Sequence, residues 1–225
     1  MREIIKPALV LLAICAAMAA VLAFVFEATK PVIAARAAAD QKAAMAAVLP
    51  QAASFVDLYN ADEPAKSTQP ALIGTLKKLP VNQENALKFS DVELGKDKTG
   101  ATVGAVCTSL SQGYSPSGVV VIVGISTAGT VTGVRIGDQN ETPGLGSKVL
   151  DLNGEFMKQL NGTNLTPKET SGGTFLQLVK NKPAGAPPEQ IDAVTGATFS
   201  SRAVTRGVEA ALEAAHAILS AGGQL

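Results

Sequence analysis

The chain has 225 residues, with 19 basic and 19 acidic side chains, so it carries no formal net charge at neutral pH. This balance argues against nucleic acid as a partner, because proteins that bind the phosphate backbone carry an excess of Lys and Arg. Its two cysteines, Cys15 and Cys107, and its single histidine exclude a disulfide framework, a cluster held by four thiolates and a cysteine-rich zinc site. No metal centre is expected from this composition.

An uninterrupted apolar segment, residues 8–26, lies close to the N-terminus (ALVLLAICAAMAAVLAFVF). As a helix it would extend about 28 Å, close to the thickness of a bilayer core. We predict one transmembrane helix there, preceded by residues 1–7 as a short cytoplasmic N-terminus. A cleaved signal peptide is the alternative, because Arg2 and Lys6 form a basic flank, but its apolar region usually runs for only about 7–15 residues.

The basic residues on the two flanks of this segment do not decide its orientation. Arg2 and Lys6 precede it, and Lys30 and Arg36 follow it, so the two counts are equal. The density of positive charge at the amino terminus favours a cytoplasmic N-terminus. We therefore expect residues 27–225, the bulk of a single-pass inner-membrane protein, to lie on the extracytoplasmic, periplasmic side.

Beyond the apolar segment, the patterns predict a juxtamembrane helix and then an α+β domain. Residues 27–50 contain an Ala-rich helix former, Val32–Leu49, which ends at Pro50. Residues 51–225 form the domain, in which strand-like runs are separated by Pro, Gly, Asn and Asp. The predicted strands are Ser54–Tyr59, Ala71–Leu76, Lys88–Leu94, a run from Thr102, Gly118–Ser126, Gly129–Gly137 and Gly172–Val179.

Three features of this domain are predicted in more detail. Val119–Val123 is apolar at every position, which is typical of a strand buried on both faces. The connection Thr127–Gly129 is short and contains glycine, which indicates a hairpin. Helices are expected at Ser147–Leu160 and at Ser200–Ala221, where apolar residues recur at helical spacing. His216 is expected to be a surface residue of the second helix.

The segment Asp192–Ser201 (DAVTGATFSS) precedes the last helix and is typical of a helix N-terminus. Its candidate N-caps are Thr195, Thr198 and Ser200. Gly196 permits a tight turn, and the free N–H groups of such an end, with the helix dipole, bind anions such as phosphate. Arg202 and Arg206 would add positive charge, although arginines at this spacing are usually solvated. An ordinary helix cap without a ligand is the alternative interpretation.

Thr195–Thr198 (TGAT), with Asp192 upstream and a Ser/Thr-rich helix start downstream, resembles the flavinylation motif of FMN-binding domains in bacterial respiratory complexes. The resemblance implies that Thr198 is esterified to FMN through the phosphate, by a separate Mg-dependent flavin transferase that uses FAD. It also implies that the transferase recognises Asp192, Thr195, Gly196, Ala197 and Thr198. The residues expected to contact the cofactor here are Thr195, Gly196, Ala197, Ser200 and Ser201.

A second motif, Glu141–Gly146 (ETPGLG), resembles the loop that lies beside the flavin ring in the same family. Its proline and glycines predict a compact turn whose backbone approaches a planar ligand closely. The resemblance implies that the cofactor-binding residues of this loop are Glu141, Thr142, Pro143, Gly144, Leu145 and Gly146. A plain glycine-rich turn is the alternative, and the carboxylates of Glu141 and Asp138 are expected to be solvated. Two motifs in this order, about 50 residues apart, favour the family over chance.

Further segments resemble the RnfG family, which belongs to the Rnf-type ion-translocating electron transport complex. They are Thr29–Ile33, Val48–Pro50, Gly113–Ser115 and the final helix. The resemblance implies a membrane-anchored electron carrier with covalent FMN, in a complex that moves Na+ or H+ and whose other subunits are its partners. We expect no autonomous catalysis, because one membrane span forms no ion path and no NADH site is evident.

Several alternatives stay open at this point. The FMN-binding subunit of the Na+-translocating NADH:quinone reductase shares both flavin motifs and is the nearest of them. The others are a flavin-binding sensory or maturation protein, and a membrane-tethered assembly module without a cofactor. Two positions depart from the family: Gly113–Gly118 (GYSPSG) is longer than the usual Gly-Tyr-Ser-Gly turn, and Asn140 stands near the place where a histidine is frequent. The resemblance therefore carries over no histidine contact to the flavin.

Overall fold

The computed structural model describes residues 2–61, 67–68, 87–144, 146–161 and 176–220. The chain divides into two units, residues 1–43 and residues 44–225. The elements in chain order are α1 (Arg2–Val48), β1 (Ser54–Asn60), β2 (Leu87–Lys96), β3 (Thr102–Ser111), β4 (Val119–Ser126), β5 (Val131–Gln139), a 3-10 turn (Gly146–Lys148), α2 (Glu155–Leu160), β6 (Gln177–Val179), β7 (Gln190–Asp192) and α3 (Thr198–Ser220). A long apolar helix followed by a sheet-rich domain with helices confirms the predicted α+β class.

All described residues of the first unit belong to α1. Every side chain from residue 6 to residue 40 is exposed, and a stretch of 18 residues in this helix has a mean hydropathy of 3.0. Within the described ranges, α1 is the one helix that is long and apolar enough to cross a membrane. Exposed apolar side chains over such a length are favourable in lipid and costly in water. Pro31 lies inside α1, so the predicted spanning and juxtamembrane helices are continuous.

Strands β1 to β5 form one antiparallel sheet, in which each strand pairs with its neighbours in the chain. The predicted hairpin joins β4 to β5: the N–H of Ser126 donates to the carbonyl of Thr130 at 2.9 Å, and Gly129 has a φ of +76°. β6 and β7 form a separate parallel pair, of which the sequence patterns predict only the first. Ala71–Leu76 and residues 172–175 of the predicted strands lie outside the described residues.

β4 is buried on both faces, as its uninterrupted apolar run predicts. Val121 and Val123 belong to the larger core, together with α3, whereas Ile122 packs with Met45 and Leu49 in a second cluster. α3 packs on β3 and β4. Its predicted apolar stripe is buried at Ala203, Val204, Val208, Ala211, Leu212, Ala215 and Ile218. The helix thereby lies along the centre of the sheet, and its His216 is exposed as predicted.

The predicted helix Ser147–Leu160 is wrong over its first half, because the α-helix begins only at Glu155. Asp151 forms a turn instead. Its carboxylate accepts the N–H of Asn153 at 3.0 Å, and its carbonyl accepts the N–H of Gly154 at 2.9 Å. Asp and Asn side chains compete with helix formation in this way. The segment Asp151–Gly154 therefore separates the 3-10 turn from the α-helix that begins at Glu155.

One carboxyl group in the sheet is buried with only part of its hydrogen-bonding capacity satisfied. Glu93 on β2 is 7% exposed, and among the described residues its Oε2 atom has no hydrogen-bond partner. Burial, together with repulsion from Asp57 and Asp91, raises the pKa of Glu93 from 4.5 to about 8. Burial and the nearby Glu93 also raise the pKa of the Cys107 thiol to about 12, so this cysteine is a neutral core residue.

The raised pKa of Glu93 predicts a stability that falls as the pH rises. Between pH 4.5 and about pH 8 the folded state keeps the proton that the unfolded chain loses, so ionisation favours unfolding in that window. Glu93→Gln cannot ionise, and we expect it to be more stable than the wild type by about 3 kcal/mol at pH 7 and nearly equal to it at pH 4.

The measurement is urea unfolding of the full-length chain in detergent at several pH values, followed by circular dichroism. Asp138→Asn removes an exposed carboxyl and is the matched control. Its stability is expected to depend on pH as that of the wild type does. The same pH dependence in Glu93→Gln as in the wild type would contradict the assignment.

Candidate functional site

A pocket of about 260 Å³ opens where three segments of the domain meet. They are the loop between β3 and β4, the residues that follow β5, and the first turn of α3 with the residues before it. The pocket is lined by Tyr114, Glu141, Thr142, Gly146, Gly196, Ala197, Thr198, Phe199 and Ser200. The structure therefore brings residues of both selected sequence motifs into one cavity.

The N-terminal end of α3 forms one wall of the pocket. The helix begins at Thr198, two residues before the predicted start, and the carbonyl of Ala197 accepts its first bond from the N–H of Ser201 at 2.9 Å. Alanine thus stands at the capping position, where no side chain competes for the N–H groups of the first turn. The preceding turn requires glycine, because Gly196 has a φ of +80°. This end of the helix suits a negatively charged group.

Glu141 connects all three segments of the pocket. Its Oε1 atom accepts the backbone N–H groups of Tyr114 and Ser115, each at 3.1 Å, and its Oε2 atom accepts the hydroxyl of Ser200. The residue is 5% exposed, so the expectation of a solvated carboxylate is wrong for Glu141, whereas Asp138 is exposed as expected. These three hydrogen bonds give both carboxyl oxygens a partner, which explains how the group is tolerated there.

Two glycines make room for this carboxylate. A Cβ atom at Gly146 would lie 2.6 Å from Oε2 of Glu141 and 2.7 Å from the hydroxyl oxygen of Ser200. A Cβ atom at Gly113 would overlap Oε1 of the same carboxylate. Side chains at these two positions would displace Glu141 and separate the segments that it joins.

The rest of the Glu141–Gly146 motif lies at the surface. Pro143 and Gly144 are exposed, and the N–H of Gly144 donates to the hydroxyl of Ser147 at 2.8 Å. This bond closes the compact turn that the sequence predicts. Leu145 lies outside the described residues.

The remaining predicted residues near α3 do not line the pocket. Thr195 is exposed, and Ser201 is buried, where its hydroxyl accepts the N–H of Val194 at 3.2 Å. Asp192 on β7 makes two backbone bonds to the side chain of Gln159: its N–H donates at 2.8 Å and its carbonyl accepts at 3.3 Å. The backbone that leads into the pocket wall is thus anchored to α2.

Two further residues at the pocket, Tyr114 and Phe199, are not marked as candidates by the sequence motifs. Their rings have centroids 6.4 Å apart and planes inclined by 57°. The guanidinium carbon of Arg202 lies 5.9 Å from the Phe199 centroid, and Arg206 is half-buried. Aromatic residues make up only 4% of the chain, so the presence of one in Gly113–Ser115 and of another in Asp192–Ser201 was the available signal. Across the described ranges, no three His, Cys, Asp or Glu side chains are grouped to hold a metal ion.

Known families match both parts of the chain. Residues 113–213 match the family model of the FMN-binding domain, and residues 1–48 match that of the RnfG N-terminal region. Every residue that lines the pocket falls within the first range. The fold and the pocket therefore define an FMN-binding domain that follows a long apolar helix.

Two relatives match this chain over nearly their whole length, and both are subunits designated G. It is 31% identical to the subunit designated G of the Na(+)-translocating ferredoxin:NAD(+) oxidoreductase complex of Acetobacterium woodii, over 94% of this chain and 91% of that protein. It is 30% identical to the subunit designated G of the ion-translocating oxidoreductase complex of Methanosarcina acetivorans, over 94% of each. The chain belongs to this RnfG family of ion-translocating oxidoreductase complexes. Among solved structures, NqrC of Shewanella oneidensis is similar with a TM-score of 0.47 and 24% identity, over 58% of this chain and 61% of that one.

Proposed function

We propose that this chain is a membrane-anchored electron carrier whose FMN is bound covalently to Thr198, within a complex that couples electron transfer to the translocation of Na+ or H+. The observation that carries the proposal is the position of Thr198. It is the first residue of α3, and it lines the pocket beside the residues of the second flavin motif. Membership of the RnfG family supports the complex, and the FMN-binding domain supports the cofactor.

The attachment itself is a phosphoryl transfer. The hydroxyl oxygen of Thr198 attacks the phosphorus on the FMN side of the pyrophosphate of FAD, and a P–O bond to that phosphorus forms. The bond to the bridging oxygen breaks, AMP leaves with the electron pair, and the hydroxyl proton passes to a base of the transferase or to solvent. No atom is oxidised or reduced. The remaining negative charge of the phosphodiester is stabilised by the N–H groups and the dipole of α3.

The lining residues fit a partly enclosed flavin. Gly146, Gly196 and Ala197 present backbone and a small side chain, which allow a planar ring to approach closely. Glu141 has both carboxylate oxygens bonded to the chain, so we assign it to holding the walls rather than to contacting the cofactor. When bound, FMN supplies one-electron and two-electron transfer, and the chain supplies its position and its attachment.

α1 and the proposed covalent tether both support a location at the membrane, with the domain outside the cytoplasm. α1 anchors the chain in the inner membrane, and residues 27–225 lie on the extracytoplasmic side. A covalent bond suits a carrier there, because a dissociated flavin would be lost. The other subunits of the complex are the partners, and a flavin transferase is the maturation partner. The end-to-end match to RnfG relatives favours this assignment over the FMN-binding subunit of a Na+-translocating NADH:quinone reductase.

Production of the full-length chain with and without a flavin transferase tests the proposal. We expect the denatured band to fluoresce under ultraviolet light only after coexpression, and its mass to rise by one FMN less one water. Denaturation removes any loosely held flavin, so fluorescence of the band reports a covalent bond. A dark band, obtained with a transferase that labels a known acceptor in the same cells, would contradict covalent attachment and favour the module without a cofactor.

A further inference from the structure

Exposed aromatic rings are concentrated at the pocket. In the described part of the domain, beyond α1, the large hydrophobic side chains that are exposed are Tyr114 (71%), Phe199 (60%) and Leu152 (38%). Two of these three are neighbours, and both line the pocket that contains Thr198. Exposure of two rings in contact forgoes hydrophobic stabilisation, so a ligand that covers them would recover it.

The backbone that carries each ring is fixed by the structure that builds the pocket. The backbone N–H of Tyr114 donates to Glu141, and Phe199 follows Thr198 directly in the first turn of α3. Arg202, one turn later, places its guanidinium near the Phe199 ring. A planar group attached to Thr198 therefore starts beside an aromatic surface with a positive charge next to it.

We propose that Tyr114 and Phe199 form the surface on which the isoalloxazine ring of the attached flavin rests. The inference rests on the proposed function and adds the residues that set the position of the ring. Because the two ring planes are inclined by 57°, a planar heterocycle parallel to one meets the other at an angle, and both arrangements are favourable for aromatic pairs. Arg202 supplies the positive charge beside this surface, which favours a flavin that gains negative charge on reduction.

The fluorescence of the native protein tests this contact. An excited flavin that touches a phenol takes an electron from it and returns it without emitting light, so contact with Tyr114 quenches the emission. Full-length chains are labelled by coexpression with the transferase, purified in detergent, and measured per attached flavin. We expect weak emission and high anisotropy from the wild type, with a several-fold rise in emission on denaturation. Leu152→Ala, which removes an exposed apolar side chain outside the pocket lining, is the control and is expected to match the wild type.

Substitutions of Tyr114 and Phe199 distinguish the contributions of the two rings. Tyr114→Ala is expected to raise the native emission several-fold, and Tyr114→Phe to raise it while keeping the anisotropy high. Phe199→Ala is expected to lower the anisotropy, because the ring loses one of its two supports. Native emission and anisotropy equal to the wild type in both alanine variants would overturn the inference while leaving covalent attachment intact. A dark denatured band in the wild type would instead overturn the proposed function and this inference with it.

Discussion

Thr198→Val is expected to abolish covalent flavin completely. Valine has nearly the same shape as threonine but no hydroxyl, so no oxygen remains to attack the pyrophosphate. Thr198 is half-buried at the first position of α3, and a β-branched apolar side chain there leaves the backbone hydrogen bonds of the helix unchanged. The measurement is the fluorescence and the mass of the denatured full-length chain after coexpression with the transferase.

Two companion variants distinguish loss of the acceptor from loss of the site. Thr198→Ser keeps the hydroxyl and is expected to keep a fluorescent band. Thr195→Val removes a hydroxyl from an exposed residue outside the pocket lining, and is expected to reduce labelling without abolishing it. A fluorescent band in Thr198→Val, with the mass of one attached flavin, would assign the ester to another hydroxyl.

Glu141→Ala is expected to cost about 3 kcal/mol of the free energy of unfolding. The substitution leaves the N–H groups of Tyr114 and Ser115 and the hydroxyl of Ser200 without their acceptor. Each unsatisfied donor costs about 1–3 kcal/mol when it is buried, and water in the open pocket recovers part of this. We also expect less flavin per chain, because the three segments of the pocket are no longer joined.

Urea unfolding of the full-length chain in detergent measures this effect. Glu141→Gln keeps the shape but not the charge, and is expected to lie between the alanine variant and the wild type. Asp138→Ala removes an exposed carboxylate three residues away, and is expected to change stability by less than about 0.5 kcal/mol. An unchanged unfolding midpoint in Glu141→Ala would show that the three bonds do not hold the pocket.

The elements with strong local patterns are the ones that the sequence predicts well. The apolar run Val119–Val123 indicates a strand buried on both faces, and the structure places α3 against one face and Met45 and Leu49 against the other. The apolar stripe of α3 and the hairpin at Gly129 are also predicted correctly, because helical periodicity and turn residues are local properties of a few neighbouring residues. The family resemblance is confirmed over almost the whole chain.

The misses arise where a side chain overrides the pattern or where contacts are long-range. Asp151 turns the chain in a region whose apolar spacing favours helix. β7 is three residues long and exists through its pairing with β6, so no local pattern marks it. Glu141 lies in a polar, glycine-containing loop segment, where a carboxylate is usually solvated. Its burial depends on hydrogen-bond donors from two other segments.

The sequence by itself determined the long apolar helix, the candidate acceptor Thr198, the small residues around it and the family, since each is a local pattern of residue types. Tertiary structure decided which residues surround Thr198. Tyr114 lies 27 residues before Glu141, and Ser200 lies 59 residues after it, yet one carboxylate binds both. Such distant segments meet because α3 packs on β3 and β4, and the periodicity within a segment does not say which strands a helix packs on.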